Sequence, residues 1–165
     1  MPTLSLHSLG KIDIYYEEEG SGEPLVLVGG FTATVEVWGK LRPLLAGKYR
    51  VIMPDNRGSG RTRIEDDDGD RAPKRFAQDV LSLINALGLE QVHLMGSSMG
   101  GMIVQEFGVQ YPERLKSLIV SSSHFGGGEK IDSPPGVRET RKRGGVPGAT
   151  KEERIEALET IFHTE

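Results

Sequence analysis

Residues 96–100, Gly-Ser-Ser-Met-Gly, place a hydroxyl between two glycines at the end of an apolar run. Ser98 is the residue of this stretch suited to forming a covalent bond to carbon. On a sharp strand-to-helix turn, such a serine is forced out at the carboxyl end of a sheet, where a carbonyl can reach it. The turn tolerates only small residues two positions away on either side, which accounts for Gly96 and Gly100. The helix that follows points its amino end at the same spot and favours negative charge there. Other glycine motifs do not fit: the stretch is not G-x-G-x-x-G, and no Gly-Lys-Ser/Thr follows to bind phosphate.

A second stretch, "VGGFTAT" at 28–34, ends another apolar run. Taken alone it reads as a flexible loop. Beside a serine turn it can supply a second amide, so that the N–H of Phe31 pairs with that of Met99 around a negative oxygen. Each such donor is typically worth about 3–4 kcal/mol of barrier. A third stretch, "DNRGSGRT" at 55–62, carries bends and charges, with Asp55 and Arg57 placed to tie a loop beside the site.

A serine hydroxyl is a weak nucleophile without a base. His124 follows the apolar run "LKSLIVSSS", at the same end as the serine, but in folds with this turn the histidine comes late, after an acid. It reads as a hinge or pocket-wall residue. His93 reads as a hydrogen-bonded core residue, and His7 and His163 as exposed. The acidic run from Glu65 to Asp70 fails as a calcium loop, with Arg71 where glycine is needed and Ala77 where glutamate is needed. "RETRKR" at 138–143 reads as a wet surface. Met95, Met99 and Met102 suit core and pocket wall, while Trp38 and Phe125 suit the lining of an apolar acyl pocket. Neither a metal nor a cofactor is expected.

These residues need elements to hold them. "TLSL" and "KIDIYYEEE" alternate apolar and polar residues, as a hairpin turning at Gly10 should. "LVLVGG", "YRVIMPD", "QVHLMG" and "LKSLIVSSS" are apolar runs of buried-strand type. "VEVWGKLRPLLAG" predicts a short helix closed by Gly47. "PKRFAQDVLSLINALG" predicts a longer one, with Phe76, Val80, Leu83, Ile84 and Leu87 on one face and Gly88 as its stop. "MGGMIVQEFGVQYP" predicts a third. Strands alternating with helices imply an α/β fold: a mostly parallel, doubly wound sheet. Residues 126–149 read as a loop, and a capped helix starts at Thr150, with Ile155, Leu158, Ile161 and Phe162 on its apolar face.

The 165 residues fit one domain. A net charge of -4 gives no general attraction to nucleic acid or anionic membrane. The absence of cysteine excludes disulfides and thiolate chemistry and fits a cytoplasmic setting. No run reaches the roughly 18–20 apolar residues that span a bilayer.

Taken in order, Gly29-Gly30-Phe31, Asp55 to Thr62 and Gly96 to Gly101 resemble the α/β-hydrolases of the esterase, 3-oxoadipate enol-lactonase and haloperoxidase-like group. The resemblance covers residues 1–124 as the amino-terminal part of the core and extends into 125–165 as the beginning of a lid. Gly29 stands where that group usually has histidine, Ser97 where it often has histidine, and Thr62 where it has serine. The resemblance implies a sheet truncated after about its sixth strand. It further implies a serine hydrolase acting on a carboxylic ester or lactone through an acyl-enzyme, with the triad's acid and histidine missing from this chain. The alternative is a non-catalytic scaffold that forms a homodimer or pairs with a complementing chain through an exposed sheet edge.

Overall fold

The computed structural model describes residues 3–6, 12–65, 67–125 and 150–152. The chain divides into two units, Met1–Gly126 and Gly127–Glu165. Of the second, only Thr150–Glu152 are described, with Lys151 and Glu152 helical. The Gly10 turn, His7, Asp66, the 126–149 loop with its "RETRKR" stretch, the apolar face at 155–162 and His163 lie outside the described residues.

In chain order the strands are β1 (Thr3–Leu6), β2 (Ile12–Glu19), β3 (Glu23–Val28), β4 (Tyr49–Pro54), β5 (Arg63–Ile64), β6 (Val92–Ser97) and β7 (Leu115–Ser121). The sheet runs β1-β2-β4-β3-β6-β7, with β5 paired to β2. Its centre is parallel, β4 beside β3, β3 beside β6 and β6 beside β7. The β1–β2 hairpin and β5 add antiparallel pairs at one side. Leu25, Leu27, Val51 and Met53 belong to one apolar cluster, and Val26, Val28, Ile52 and Leu94 to another. Strand residues alternate faces, so these are the two sides of one sheet.

Helix α2 (Pro73–Ala86) follows its sequence signals closely. Pro73 starts it, and Phe76, Val80, Leu83 and Ile84 are buried. Gly88 takes a left-handed φ of 68°, while Leu89 N–H donates to Ile84 O at 2.9 Å and Gly88 N–H to Asn85 O at 3.0 Å. That is the paired bonding by which a glycine ends a helix.

The helix expected over 35–47 is instead two pieces, a 3₁₀ turn at Val35–Trp38 and helix α1 (Arg42–Ala46). Pro43 lacks an N–H and fits only a first turn, so a new helix must begin beside it. β7 also departs from a buried strand. Among the described residues it pairs only with β6, and Leu118, Ile119 and Val120 are 39%, 44% and 42% exposed.

Candidate active site

β3, β4, β6 and β7 are mutually parallel, so their carboxyl ends lie at one edge, where α/β sheets bind ligands. The Gly29–Phe31 loop leaves β3 there, Asp55 and Asn56 leave β4, Ser98 leaves β6, and His124 and Phe125 follow β7.

Ser98 is exposed and sits between β6 and helix α3 (Met99–Gln110) with φ 56° and ψ -122°. That backbone region is strongly disfavoured for a residue with a Cβ, and such strain persists only where surrounding contacts enforce it. Those contacts are present. Ser98 N–H donates to Ser121 O at 3.0 Å, Gly101 N–H donates to Ser98 O at 2.9 Å, and Ser123 Oγ donates to the same carbonyl at 2.7 Å. The glycines are required by close approach. A Cβ at Gly96 would stand 2.1 Å from Gly100 O, and one at Gly100 would stand 2.1 Å from Val28 O.

Replacing Ser98 by glycine should therefore stabilise the chain. Release of the strained dihedrals contributes about 1–3 kcal/mol, against about 0.5–1 kcal/mol for glycine's extra unfolded freedom. A higher urea midpoint for Ser98→Gly, with Ser98→Ala near the parent, is the expected pattern. Equal midpoints for the two variants would show that the turn stores no strain.

The loop after β3 lies against the serine. A Cβ built on Gly30 would be 3.2 Å from Ser98 Cβ and 3.6 Å from its Oγ. Phe31 is 64% exposed. Among the described residues, neither Phe31 N–H nor Met99 N–H donates to a backbone carbonyl. For Met99 this follows from its place at the first position of α3, where the N–H has no intrahelical acceptor.

Asp55 and its neighbours tie this edge together. Asp55 is 1% exposed. Its carboxylate accepts from Val35 N–H and Arg61 N–H, each at 2.8 Å. Thr62, which stands where serine is usual, keeps the hydroxyl function: Oγ1 donates to Asp55 O at 2.7 Å and accepts from Tyr15 N–H at 3.0 Å. Arg57 turns away from the site to make a buried bidentate pair with Asp79 of α2, at 2.6 and 2.7 Å. Burial works against the Arg57 charge, but the Asp79 carboxylate outweighs it and holds the guanidinium above its ordinary pKa.

The remaining candidates are scattered. Trp38, expected at a pocket wall, is 6% exposed and clusters with Leu27, Val35 and Met53. Phe125 is 69% exposed beyond β7. His124 is exposed, and its carbonyl accepts from Gln105 Nε2 at 3.2 Å. His93 is hydrogen-bonded as expected, through Nδ1 to Ser117 Oγ at 2.7 Å and Nε2 to Glu23 at 3.2 Å, but it is only half-buried. Lys116 and His93 together hold the Glu23 carboxyl below its ordinary pKa. Among the described residues no side chain is hydrogen-bonded to Ser98 Oγ. There is also no group of three or more His, Asp or Glu placed to hold a metal ion among them, and no helix long and apolar enough to cross a membrane.

Reasoning from sequence missed Asn56, Asp79 and Ser123. Only Asp79 left a signal, a carboxylate on the apolar face of α2 between Phe76 and Val80.

This arrangement has counterparts. The chain is 33% identical over 132 residues to 2-hydroxy-6-oxo-6-phenylhexa-2,4-dienoate hydrolase of Comamonas testosteroni, covering 74% of this chain and 46% of that protein. It is 33% identical over 118 residues to fluoroacetate dehalogenase of a Burkholderia species, covering 70% and 39% respectively. Its fold matches an esterase from Thermogutta terrifontis with a TM-score of 0.71 and 30% identity, over 87% of this chain and 52% of that one. The chain thus spans about half the length, or less, of the relatives it resembles. The family model described as the alpha/beta hydrolase fold matches residues 23–145, three quarters of the chain, and with the serine turn and its sheet in place this protein belongs to the α/β-hydrolase fold family.

Proposed function

We propose that this chain carries the nucleophile and oxyanion site of a serine hydrolase that opens a carboxylic ester or lactone. Ser98 Oγ attacks the carbonyl carbon and its proton passes to a general base. The N–H groups of Phe31 and Met99 receive the negative oxygen of the tetrahedral intermediate. The alkoxide leaves with a proton, and water then cleaves the Ser98 acyl ester. The base and the acid that orients it come from outside the described residues. The observation that carries this reading is an exposed serine held at φ 56° on a strand-to-helix turn, with Gly30 packed against it.

The type of nucleophile narrows the chemistry. A serine that displaced halide from saturated carbon would form an ether, which water cannot open at a carbonyl. Fluoroacetate dehalogenase is among the relatives, but an alcohol at position 98 suits acyl transfer.

A fluorophosphonate probe followed by intact mass tests this reading. Stoichiometric modification at Ser98, lost in Ser98→Ala, is the expected result. An unmodified parent chain would overturn it. The exposed strand β7 favours a second reading, a non-catalytic scaffold that pairs through that edge. In that case light scattering would show a dimer or a complex, with no probe on Ser98.

A further inference from the structure

The loop that would carry the Phe31 amide is a costly piece of backbone. Thr32 takes a φ of 57°, a left-handed conformation that a β-branched residue rarely adopts. The turn closes when Ala33 N–H donates to Gly30 O at 3.2 Å. That bond sets the plane of the Gly30–Phe31 peptide and hence the direction of the Phe31 N–H, which in a trans peptide points opposite its carbonyl. One weak turn bond does not by itself outweigh a strained threonine on an exposed loop.

Two buried groups from the end of β4 supply the rest. Asp55 Oδ1 accepts from Val35 N–H at 2.8 Å and fixes the exit of the loop. Asn56, 6% exposed, donates from Nδ2 to Gly29 O at 2.9 Å and fixes its entry. The Gly29 carbonyl belongs to the peptide that leads directly into Gly30, the residue packed on Ser98. Both groups are buried.

We propose that Asn56 is a positioning residue of the oxyanion loop. By holding the Gly29–Gly30 peptide from below, with Asp55 holding residue 35, it keeps the strained turn closed and the Phe31 N–H directed at the Ser98 site. The inference rests on the hydrolase reading for its purpose, but its physical content is the local order of residues 29–35.

Amide hydrogen exchange separates the two. In Asn56→Leu the donor is lost, and the Ala33 and Val35 amides should exchange at least about tenfold faster while those of Leu27 and Leu94 keep their protection. Asn56→Asp gives a second arm in case the leucine variant does not fold. A protonated carboxyl can donate to Gly29 O and an ionised one cannot. With the intrinsic pH dependence removed, protection of Ala33 and Val35 should be native-like in acid and lost as the buried carboxyl ionises. Unchanged protection at 33 and 35, or equal loss across all strands, overturns the proposal. The fluorophosphonate rate at Ser98 should fall in step with the loss of loop order. An unlabelled parent chain would retire the hydrolase reading and leave the exchange result to decide the clamp.

Discussion

A chain carrying Asp79→Ala should lose roughly 3–5 kcal/mol of stability, because it strands a guanidinium in the core. The Arg57 side chain is 1% exposed and that of Asp79 8%. The lost carboxylate therefore leaves a largely desolvated guanidinium without its two charge-assisted hydrogen bonds. At this chain length the loss corresponds to a fall in Tm of about 10 °C or more. The same effect should come from Arg57→Ala, which leaves the carboxylate unpaired. Replacing both partners by apolar residues of similar volume, Arg57→Met with Asp79→Leu, should restore most of the stability, since the pair's cost lies in desolvation as much as its gain lies in attraction. Urea midpoints of the two single variants and the double variant form the cycle that checks this. Additive losses in the double variant would show that the two groups act independently. The site should feel the change as well, because Arg57 is joined through the backbone to Asn56 and Asp55, whose side chains fix the loop after β3.

The contrast between Arg57 and Ser98 shows what one-dimensional reasoning reaches. The serine turn is legible because its signature is local: small residues at 96 and 100, an apolar strand before and a helix after. The reason for those residues is only partly local, since a Cβ at Gly96 would strike a carbonyl four residues away while one at Gly100 would strike Val28 O at the end of β3. Helix α2 is legible for the same reason, down to its glycine stop. The partners of the 55–62 stretch are not. Asn56 reaches back 27 residues to Gly29 and Arg57 reaches forward 22 to Asp79, and neither separation follows any period of helix or strand. The Arg57 pair nevertheless left a trace as the one acid on the buried face of α2. Asn56 left none, because a carboxamide after a strand reads the same whether it faces water or a carbonyl. Trp38 shows the opposite limit. An aromatic near the loop after β3 suggests a pocket wall, and only the structure shows that the 3₁₀ turn carrying it places the indole in an apolar cluster with Leu27, Val35 and Met53. The break at residues 39–41 comes from the position of Pro43 in the first turn of α1, a rule that outranks the amphipathic pattern on either side.

Gly100→Ala should be strongly disruptive, as should Gly96→Ala, whose new Cβ would meet backbone equally closely. At position 100 the new Cβ would lie 2.1 Å from Val28 O and 2.7 Å from Gly29 O. Both atoms belong to the backbone at the end of a buried parallel strand, so no rotamer change relieves the contact. Either α3 withdraws from β3 or the β3 exit bends. Overpacking a core by a methylene typically costs about 1–3 kcal/mol, and a clash of backbone with backbone belongs at or above the top of that range. The functional consequence is larger than the energetic one. Gly29 O is also the acceptor for Asn56, so the motion that admits the methyl group pulls the loop off its clamp and carries the Phe31 amide away from Ser98. Gly47→Ala is the matched control: nothing lies within 4 Å of its Cβ, and its φ of -67° suits any residue. It should be neutral or gain up to about 1 kcal/mol from a less flexible unfolded chain. Urea midpoints for both variants, read beside fluorophosphonate modification of Ser98, should show Gly100→Ala losing stability and labelling together and Gly47→Ala losing neither. A Gly100→Ala chain within about 0.5 kcal/mol of the parent, the range of an ordinary surface change, would mean that strand and helix do not meet at this turn as closely as the structure has them.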